Sequence, residues 1–218
     1  MRVETHGRKK RSAAGPFLIG VTGGIACGKS SVAAYLSQQL SCHFIDADMV
    51  CRGLLQPDQP GWRRLRRENA VSLLPDNRTI DRAALRAKIF HDAAFRDRVN
   101  NMLHPLALEA ILREIAMVGM RYSCVVIEVA LLFEAGWQQQ FHCIVAVGCD
   151  HDTALERLML RDSVTREEAE AAVSSHFSWW RKCEYADFCL DNSGTWETAR
   201  KECDRFVKKI KKILTTTP

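Results

Sequence analysis

Short apolar segments alternate along the chain with longer segments whose apolar positions recur at helical spacing. Compact apolar runs of this kind predict buried strands. We expect five of them, at residues 17–22, 42–45, 123–129, 142–147 and 188–190. Because helical patterns separate all five, the sequence predicts an α/β fold with a parallel sheet of about five strands flanked by helices.

A long stretch without any strand pattern lies between residues 61 and 119. It contains four predicted helices, at residues 62–68, 81–90, 93–102 and 106–118. We interpret the stretch as a mostly helical insertion between two strands rather than as an independent domain.

Three other helices are predicted outside the insertion. Residues 29–40 have an apolar face and directly follow the first strand. Thr165 and Glu168 form a capping-box pattern, which predicts a helix start near residue 165. Residues 196–214 form an amphipathic and increasingly basic helix, whose lysines suit the helix dipole.

The composition is that of one globular domain. The chain has 218 residues, of which 47% are hydrophobic and 26% are charged. No apolar run approaches the roughly 20 residues that a membrane helix needs, so no membrane partner is expected. The nine cysteines are odd in number and contain no C-x-x-C pair, which argues against a disulfide framework and against a zinc ribbon. We therefore expect reduced, mostly buried thiols and a cytoplasmic location.

The net charge of +5 is concentrated at the start of the chain. Residues 1–15 carry five basic side chains and one acidic side chain, without the apolar segment of a secretory signal. A nucleic-acid-binding tail would have this charge. A disordered extension, or a start codon assigned too far upstream, would have it as well. We favour the extension and place the folded domain at residues 16–214.

The strongest local signal lies between the first strand and the helix after it. Residues 23–30 match G-x-x-x-x-G-K-S/T in full, in the strand–loop–helix context that this phosphate-binding motif requires. Gly23 and Gly28 allow close backbone approach, and the loop N–H groups converge on phosphate oxygens. Lys29 is expected to reach the β- and γ-phosphates of ATP, and Ser30 to ligate Mg²⁺. The chain lacks the N-K-x-D motif of GTPases, so a small-molecule kinase is the default function.

Two carboxylates follow the second predicted strand. Ligands of such sheets bind at the carboxyl ends of the strands, where Asp46 and Asp48 are expected. One of them could take a proton from an acceptor hydroxyl or bind water linked to Mg²⁺. The alternative is that one of the two is a helix N-cap, because Asp48 precedes an apolar helical turn.

At this point the sequence resembles the dephospho-CoA kinase family. Seven blocks typical of that family occur in order between Phe17 and Phe206. The phosphate loop T-G-G-I-G-S-G-K-S resembles residues 22–30, D-A-D-x-x-x-R resembles residues 46–52, and L-D-R-x-x-L resembles residues 80–85. L-N-x-x-x-H-P resembles residues 99–105, D-x-P-L-L-x-E resembles residues 128–134, and A-D-x-x-x-D-N-x-G resembles residues 186–194. The seventh block, a pair of lid arginines, resembles Arg157 and Arg161.

The chain departs from the family pattern at several positions. Ala26 stands where the family has a third loop glycine, and Ala130 replaces the proline before Leu131. The other departures are Asn69-Ala70, Asn77-Arg78 and His176. None removes a phosphate ligand or the aspartate pair, so the departures bear on local geometry and affinity rather than on the class of reaction.

The resemblance implies a role for particular residues. Asp48 is implied as the catalytic base, supported by Asp46, and Arg161 as the lid arginine that acts on the transferring phosphoryl group, within a lid at residues 155–180. The implied nucleotide-binding residues are Gly23, Gly24, Ala26, Cys27, Gly28, Lys29, Ser30, Ser31, Arg157, Arg161 and Asn192, the last of them near the adenine. The implied acceptor-binding residues are Asp46, Arg52, Asp81, His104, Leu131 and Leu132.

Two of these assignments have plain structural alternatives. Arg157 could be part of a solvated helix face, and His104 could be an N-terminal residue of a helix that starts at Pro105.

The expected function is therefore ATP-dependent phosphorylation of the 3′-hydroxyl of dephospho-CoA, which gives coenzyme A and ADP. The helical insertion would bind the acceptor. A kinase for another nucleoside or nucleotide is the alternative within the same class, and a nucleic-acid-binding protein is the alternative from a different class. The oligomeric state stays open.

Overall fold

The structure is a computed structural model that describes residues 15–67, 78–174 and 178–216. A five-stranded parallel sheet has the strand order β2-β3-β1-β4-β5. The register pairs β1 in parallel with both β3 and β4, and β4 with β5. The strands are β1 (Phe17–Gly23), β2 (His43–Asp46), β3 (Cys124–Glu128), β4 (Cys143–Gly148) and β5 (Phe188–Asp191). The prediction of an α/β fold with five parallel strands is confirmed.

In the described chain α-helices connect the strands except between β3 and β4, where only a short 3-10 helix forms, Trp137–Gln140. Before β3 they are α1 (Lys29–Leu40), α2 (Ala47–Leu54), α3 (Pro60–Arg67), α4 (Arg82–His91) and α5 (Ala93–Val118). After β4 they are α6 (His151–Asp162), α7 (Arg166–Ser174), α8 (Trp179–Tyr185) and α9 (Trp196–Thr216). None of these helices is long and apolar enough to cross a membrane.

The capping-box prediction is confirmed at the start of α7. The Thr165 N–H donates to Glu168 Oε2 at 2.9 Å, and the Glu168 N–H donates to Thr165 Oγ1 at 3.3 Å. The two side chains thus satisfy backbone donors at the helix start reciprocally.

One prediction of helix boundaries is wrong. The segments at residues 93–102 and 106–118 are a single helix, α5, which contains Pro105 in its interior. A proline usually ends a helix because it lacks the N–H donor and crowds the preceding turn. Here the buried positions continue on both sides of it, from Phe95 and Val99 to Ala107 and Ile111, so packing outweighs the local penalty. His104 accordingly lies inside a helix and does not begin one.

The chain divides into two compact units. One comprises Met1–Ile45 and Ala116–Pro218, and its described part contains the sheet. The other is Asp46–Ile115, whose described part is helical and has its own apolar core. In that core the Trp62 indole N–H donates to the Arg78 carbonyl at 2.8 Å.

Several sequence predictions fall outside the described residues. They concern all but the last residue of the basic extension at 1–15, and the departures at Asn69, Ala70, Asn77 and His176.

The expectation of no disulfide is wrong at one place. Cys183 in α8 and Cys189 in β5 form a disulfide, with Cα atoms 5.6 Å apart. The short connection from α8 to β5 brings the two residues together, which no spacing rule for cysteine frameworks anticipates. Cys27, Cys124, Cys143, Cys149 and Cys203 are buried, as predicted.

A buried lysine connects α8 to the segment after β3. The Lys182 side chain is 0% exposed, and its ammonium group lies 2.9 Å from Glu134 Oε1. It also donates to the Ala130 carbonyl at 2.7 Å, which accepts a further hydrogen bond from Thr22 Oγ1 at 3.1 Å. The Ala130 backbone, at the position of the missing family proline, is therefore held by two side chains.

Glu134→Ala should destabilise the fold strongly, because it leaves the Lys182 charge buried without its carboxylate. Removal of one partner of a buried ion pair costs roughly 3 kcal/mol, which corresponds to a fall in melting temperature of roughly 6–12 °C. Glu109→Ala is the matched control, since it breaks an exposed pair with Arg113; it should change stability by less than about 0.5 kcal/mol. Equal melting temperatures for the two variants would contradict the assigned role of Lys182.

Candidate active site

The loop between β1 and α1 lies directly against the end of β4. The Gly24 N–H donates to the Val147 carbonyl at 3.2 Å. A Cβ atom at Gly23, whose φ is +155°, would stand 1.9 Å from that carbonyl oxygen. Glycine is therefore required at position 23, as the motif predicts, because strand β4 occupies the space of a side chain.

The start of α1 is open to an anion. Gly28 is the N-cap residue with a φ of 82°, its position carries no side-chain cap, and the first turn contains no acidic residue. Ser30 and Ser31 in this turn are exposed. Backbone N–H groups and the positive end of the helix dipole thus remain available for phosphate oxygens. The Lys29 ammonium group lies across the loop and donates to the Gly24 carbonyl at 2.8 Å.

Ala26 adopts the backbone conformation that the family's glycine would favour. Its φ is 55°, which is left-handed. A Cβ atom in this region costs roughly 1–2 kcal/mol per residue. The loop therefore keeps its conformation in spite of the alanine.

Asn192, which follows β5, holds the phosphate loop through hydrogen bonds. Its side-chain Nδ2 donates to the Cys27 carbonyl at 2.9 Å, and its backbone N–H donates to the Gly148 carbonyl at 2.7 Å. The side chain is largely buried, and a Cβ atom on Gly28 would come within 2.5 Å of Nδ2. The sequence resemblance implies adenine contact for Asn192, whereas the structure gives its amide a role in positioning the phosphate loop.

The two predicted lid arginines have different surroundings on α6. Arg157 donates to the Asn192 carbonyl at 2.9 Å, so it is tied to the residue that supports the phosphate loop. The Arg161 side chain is 57% exposed and forms a two-point contact with Asp162, at 2.8 and 2.9 Å. Its hydrogen bonds with Asp162 raise the pKa of Arg161 further, so the guanidinium stays charged.

Sequence reasoning assigned no role to Glu128 at the end of β3. Ser30 Oγ donates to Glu128 Oε1 at 2.8 Å, and Glu128 is 8% exposed. A hydroxyl and a carboxylate are oxygen donors of the type that Mg²⁺ prefers, so the pair fits the ion. The sequence did contain a signal for Glu128, because it is the first residue of the segment 128–134 that resembles the family block D-x-P-L-L-x-E. Within the described part of the chain, no cluster of three or more His, Cys, Asp or Glu side chains could hold a metal by itself.

Asp46 and Asp48, in the helical unit, are distinguished by their hydrogen bonds. Asp46 is the N-cap of α2, and its Oδ1 accepts from the backbone N–H groups of Asp48 at 2.8 Å and Met49 at 3.1 Å. Asp48 lies in the first turn of the same helix. Burial, followed by the charges of Asp48 and Asp46, raises the pKa of the Cys51 thiol to about 11. The helix is therefore capped by Asp46 and not by Asp48, the residue that the sequence suggested for this role.

The remaining predicted acceptor residues lie on several elements. Asp81 caps α4 by accepting from the N–H groups of Ala83 and Ala84, both at 3.0 Å. Arg52 is exposed in the last turn of α2, and His104 is half-buried in α5.

Leu131 and Leu132 follow β3 in the sheet unit. Leu131 is half-buried, whereas Leu132 is 0% exposed. A Cβ atom on Gly20 would meet Leu132 at 2.7 Å. This contact favours a packing role for Leu132 and leaves Leu131 as the member of the pair that can meet a ligand.

Known proteins share the sequence pattern and the fold of this chain. The family model described as "Dephospho-CoA kinase" matches residues 17–198 of the chain. The chain belongs to the dephospho-CoA kinase family. It is thus a kinase with a P-loop fold.

Relatives of this kinase occur in vertebrates and bacteria. The chain is 36% identical to a zebrafish (Danio rerio) protein named "Dephospho-CoA kinase domain-containing protein", over 89% of this chain and 85% of that protein. It is 34% identical to the dephospho-CoA kinase of Geobacillus kaustophilus, over 88% of this chain and 95% of that enzyme. The solved structure of the Campylobacter jejuni dephospho-CoA kinase matches with a TM-score of 0.63 at 25% identity, covering 89% of this chain and 97% of that one.

Ala26→Gly should leave ATP binding of this kinase unchanged or tighter. Glycine relieves the left-handed strain and so favours folding. The larger conformational entropy of the unfolded chain offsets roughly 0.4–1 kcal/mol of this gain in folding stability. Ala34→Gly is the matched control, because Ala34 is exposed inside α1 and glycine there costs about 1 kcal/mol. Calorimetric ATP affinities and melting temperatures measure both effects. A tenfold loss of ATP affinity in Ala26→Gly would show that the loop has adapted to the Cβ.

Proposed function

We propose that this kinase transfers the γ-phosphoryl group of ATP to the 3′-hydroxyl of dephospho-CoA, producing coenzyme A and ADP. The observation that carries the proposal is the complete phosphate loop at an uncapped helix start, in a chain that matches the dephospho-CoA kinase model over residues 17–198. The loose transition state of phosphoryl transfer leaves mainly positioning and charge stabilisation to the protein.

The donor side is built from the loop and its supports. The backbone N–H groups of residues 25–31 would bind the β- and γ-phosphates of ATP, and Lys29 would leave the Gly24 carbonyl to meet their negative charge. Ser30 would hold Mg²⁺, with Glu128 as its neighbouring carboxylate. When bound, Mg²⁺ neutralises charge on the phosphates. Arg161 would leave the exposed carboxylate of Asp162 and act on the transferring group. Arg157 would connect α6 to Asn192, the residue that supports the phosphate loop.

Asp48 is the proposed general base on the acceptor side. The Oδ1 atom of Asp46 accepts two backbone hydrogen bonds, which makes Asp46 the positioning residue for the first turn of α2. The Asp48 carboxylate would accept the proton of the ribose 3′-hydroxyl. Arg52, His104 and Leu131 are the proposed acceptor contacts, and Asp81 acts by capping α4.

Other features of the proposal follow from the family and the composition. We propose that the helical unit, which includes most of the insertion predicted at residues 61–119, binds dephospho-CoA, and that the kinase acts in the cytoplasm. A different nucleoside or nucleotide acceptor would require other contacts in that unit.

A coupled assay of ADP release over a panel of acceptors tests the proposed function. With ATP and Mg²⁺, dephospho-CoA should give the highest kcat/KM, and mass spectrometry should identify the product as coenzyme A. Lys29→Ala is the control for the phosphate loop and should abolish transfer without changing the fold. A higher kcat/KM for a nucleoside or another nucleotide would overturn the choice of acceptor.

Asp48→Asn should lower kcat by roughly 10²–10⁴-fold, because the amide cannot accept the proton of the acceptor hydroxyl. Asp46→Asn is the matched variant, since asparagine retains N-capping ability and should preserve most of the activity. Asp46→Ala removes the cap and should cost about 0.5–2 kcal/mol of stability, whereas Asp48→Ala should leave the melting temperature nearly unchanged. A fully active Asp48→Asn enzyme would transfer the role of base to Asp46 or remove it from the mechanism.

A further inference from the structure

Two thiols that the proposed reaction does not use meet beside the phosphate loop. Cys27 belongs to the loop, and Cys149 is the residue directly after β4. The two sulfur atoms lie 3.3 Å apart, and the Cys149 thiol donates a hydrogen bond to Cys27 Sγ. A disulfide needs a sulfur–sulfur distance of roughly 2.05 Å. The pair therefore lies about 1.3 Å from bonding distance, although its members are 122 residues apart in the chain.

A small reagent can approach the pair from a cavity. Cys27 and Cys149 are 1% and 3% exposed. Both line a cavity of about 170 Å³, together with Gly24, His151 and Trp179. A single water needs roughly 10–15 Å³ of such a volume. Hydrogen peroxide is little larger than water, so it fits in this cavity.

The surroundings make the two thiols unequal. The hydrogen bond from Cys149, and then the positive charges of Lys29 and Arg157, lower the pKa of Cys27, although burial opposes them. The same hydrogen bond, burial and the nearby charges of Cys27 and Asp150 raise the pKa of Cys149. A thiol with thiolate character beside a second, protonated thiol is the arrangement of a reactive cysteine and its resolving partner.

We propose that Cys27 and Cys149 form a peroxide-sensitive dithiol site, and that its oxidation to a disulfide inhibits phosphoryl transfer. The inhibitory part of the proposal rests on the proposed function, because it concerns the loop that would bind ATP. The chemical part rests only on the position of the two sulfur atoms.

The reaction balances with one hydrogen peroxide molecule as the oxidant. The Cys27 thiolate attacks one peroxide oxygen, the O–O bond breaks, and the products are a sulfenic acid and hydroxide, which takes a proton to become water. The Cys149 sulfur then attacks the Cys27 sulfur, an S–S bond forms, and the S–O bond breaks. The Cys149 proton leaves with the hydroxyl group as a second water. The two thiols lose two electrons, and peroxide gains them.

Closure of the bond would displace the loop that has to position phosphate. Cys27 lies between Ala26, which already has left-handed backbone, and Gly28, the N-cap of α1. The Cys27 carbonyl accepts from Asn192, and its thiol donates to the Ile25 carbonyl at 3.3 Å. A shift of about 1 Å in a catalytic geometry can cost roughly 10²-fold in rate. We expect a loss of that size in kcat/KM for ATP.

Peroxide treatment of the reduced full-length chain tests the proposal. Peptide mapping under non-reducing conditions should show a Cys27–Cys149 cross-link that grows in parallel with the loss of ADP release. Cys124 and Cys143 share one tryptic peptide with Cys149, so fragment ions have to identify the linked residue. Dithiothreitol should remove the cross-link and restore the activity. Cross-linking without loss of activity would overturn the inhibitory part, and peroxide treatment that leaves both thiols reduced would overturn the site.

Cys149→Ser separates a dithiol site from a single oxidisable thiol. This variant should keep its basal activity and form no cross-link, and a cyclic dione that traps sulfenic acid should label Cys27 in it. Cys143→Ser is the matched control, because Cys143 is a buried thiol at the other end of β4; it should respond to peroxide like the unmodified chain. If Cys149→Ser is unstable, Cys149→Ala takes its place. Cross-linking of Cys27 to another cysteine in either variant would contradict the assigned pair.

Dione labelling keeps the test independent of the proposed function. If the reduced chain does not phosphorylate dephospho-CoA, the proposed acceptor fails, while the cross-link and the dione label still test the dithiol site. If the chain is active and the cross-link is absent, only the dithiol site fails.

Discussion

The close approach of the phosphate loop to the end of β4 is the constraint on which the site in the sheet unit depends. The Val147 carbonyl occupies the space that a side chain at Gly23 would need, and it accepts the Gly24 N–H. Asn192 fixes the other end of the loop through the Cys27 carbonyl. Because backbone groups are held at both ends, the N–H groups at the start of α1 are oriented before any nucleotide binds, which reduces the reorganisation needed on binding.

The fold and the phosphate loop could be predicted because their signals are local. Buried parallel strands such as β1 are nearly continuous apolar runs, and the loop motif requires particular residues within eight positions of the chain. The capping box at Thr165 and Glu168 was predicted for the same reason, since both members lie in one helical turn. In each case the residues that carry the signal are neighbours in sequence.

Interactions between distant segments could not be predicted in the same way. Pro105 indicates a helix break when it is judged locally, but the buried positions on both sides keep α5 continuous. Lys182 has the sequence context of a surface lysine, and only the fold brings Glu134 and the Ala130 carbonyl to it. The same holds for Ser30 and Glu128, which are 98 residues apart and become partners because β1 and β3 are adjacent strands. Such contacts are set by strand order.

The constraint on the loop also explains why Cys27 differs from the other buried cysteines. Cys203 lies in a helix within the core, where burial is the main influence and raises its thiol pKa to about 12. Cys27 is equally hidden from solvent, but a loop built to attract phosphate surrounds it with Lys29, Arg157 and the start of α1. These groups favour any anion, and a thiolate is one. The pKa of the Cys27 thiol is therefore lowered first by the hydrogen bond from Cys149 and then by the same positive charges that would bind ATP.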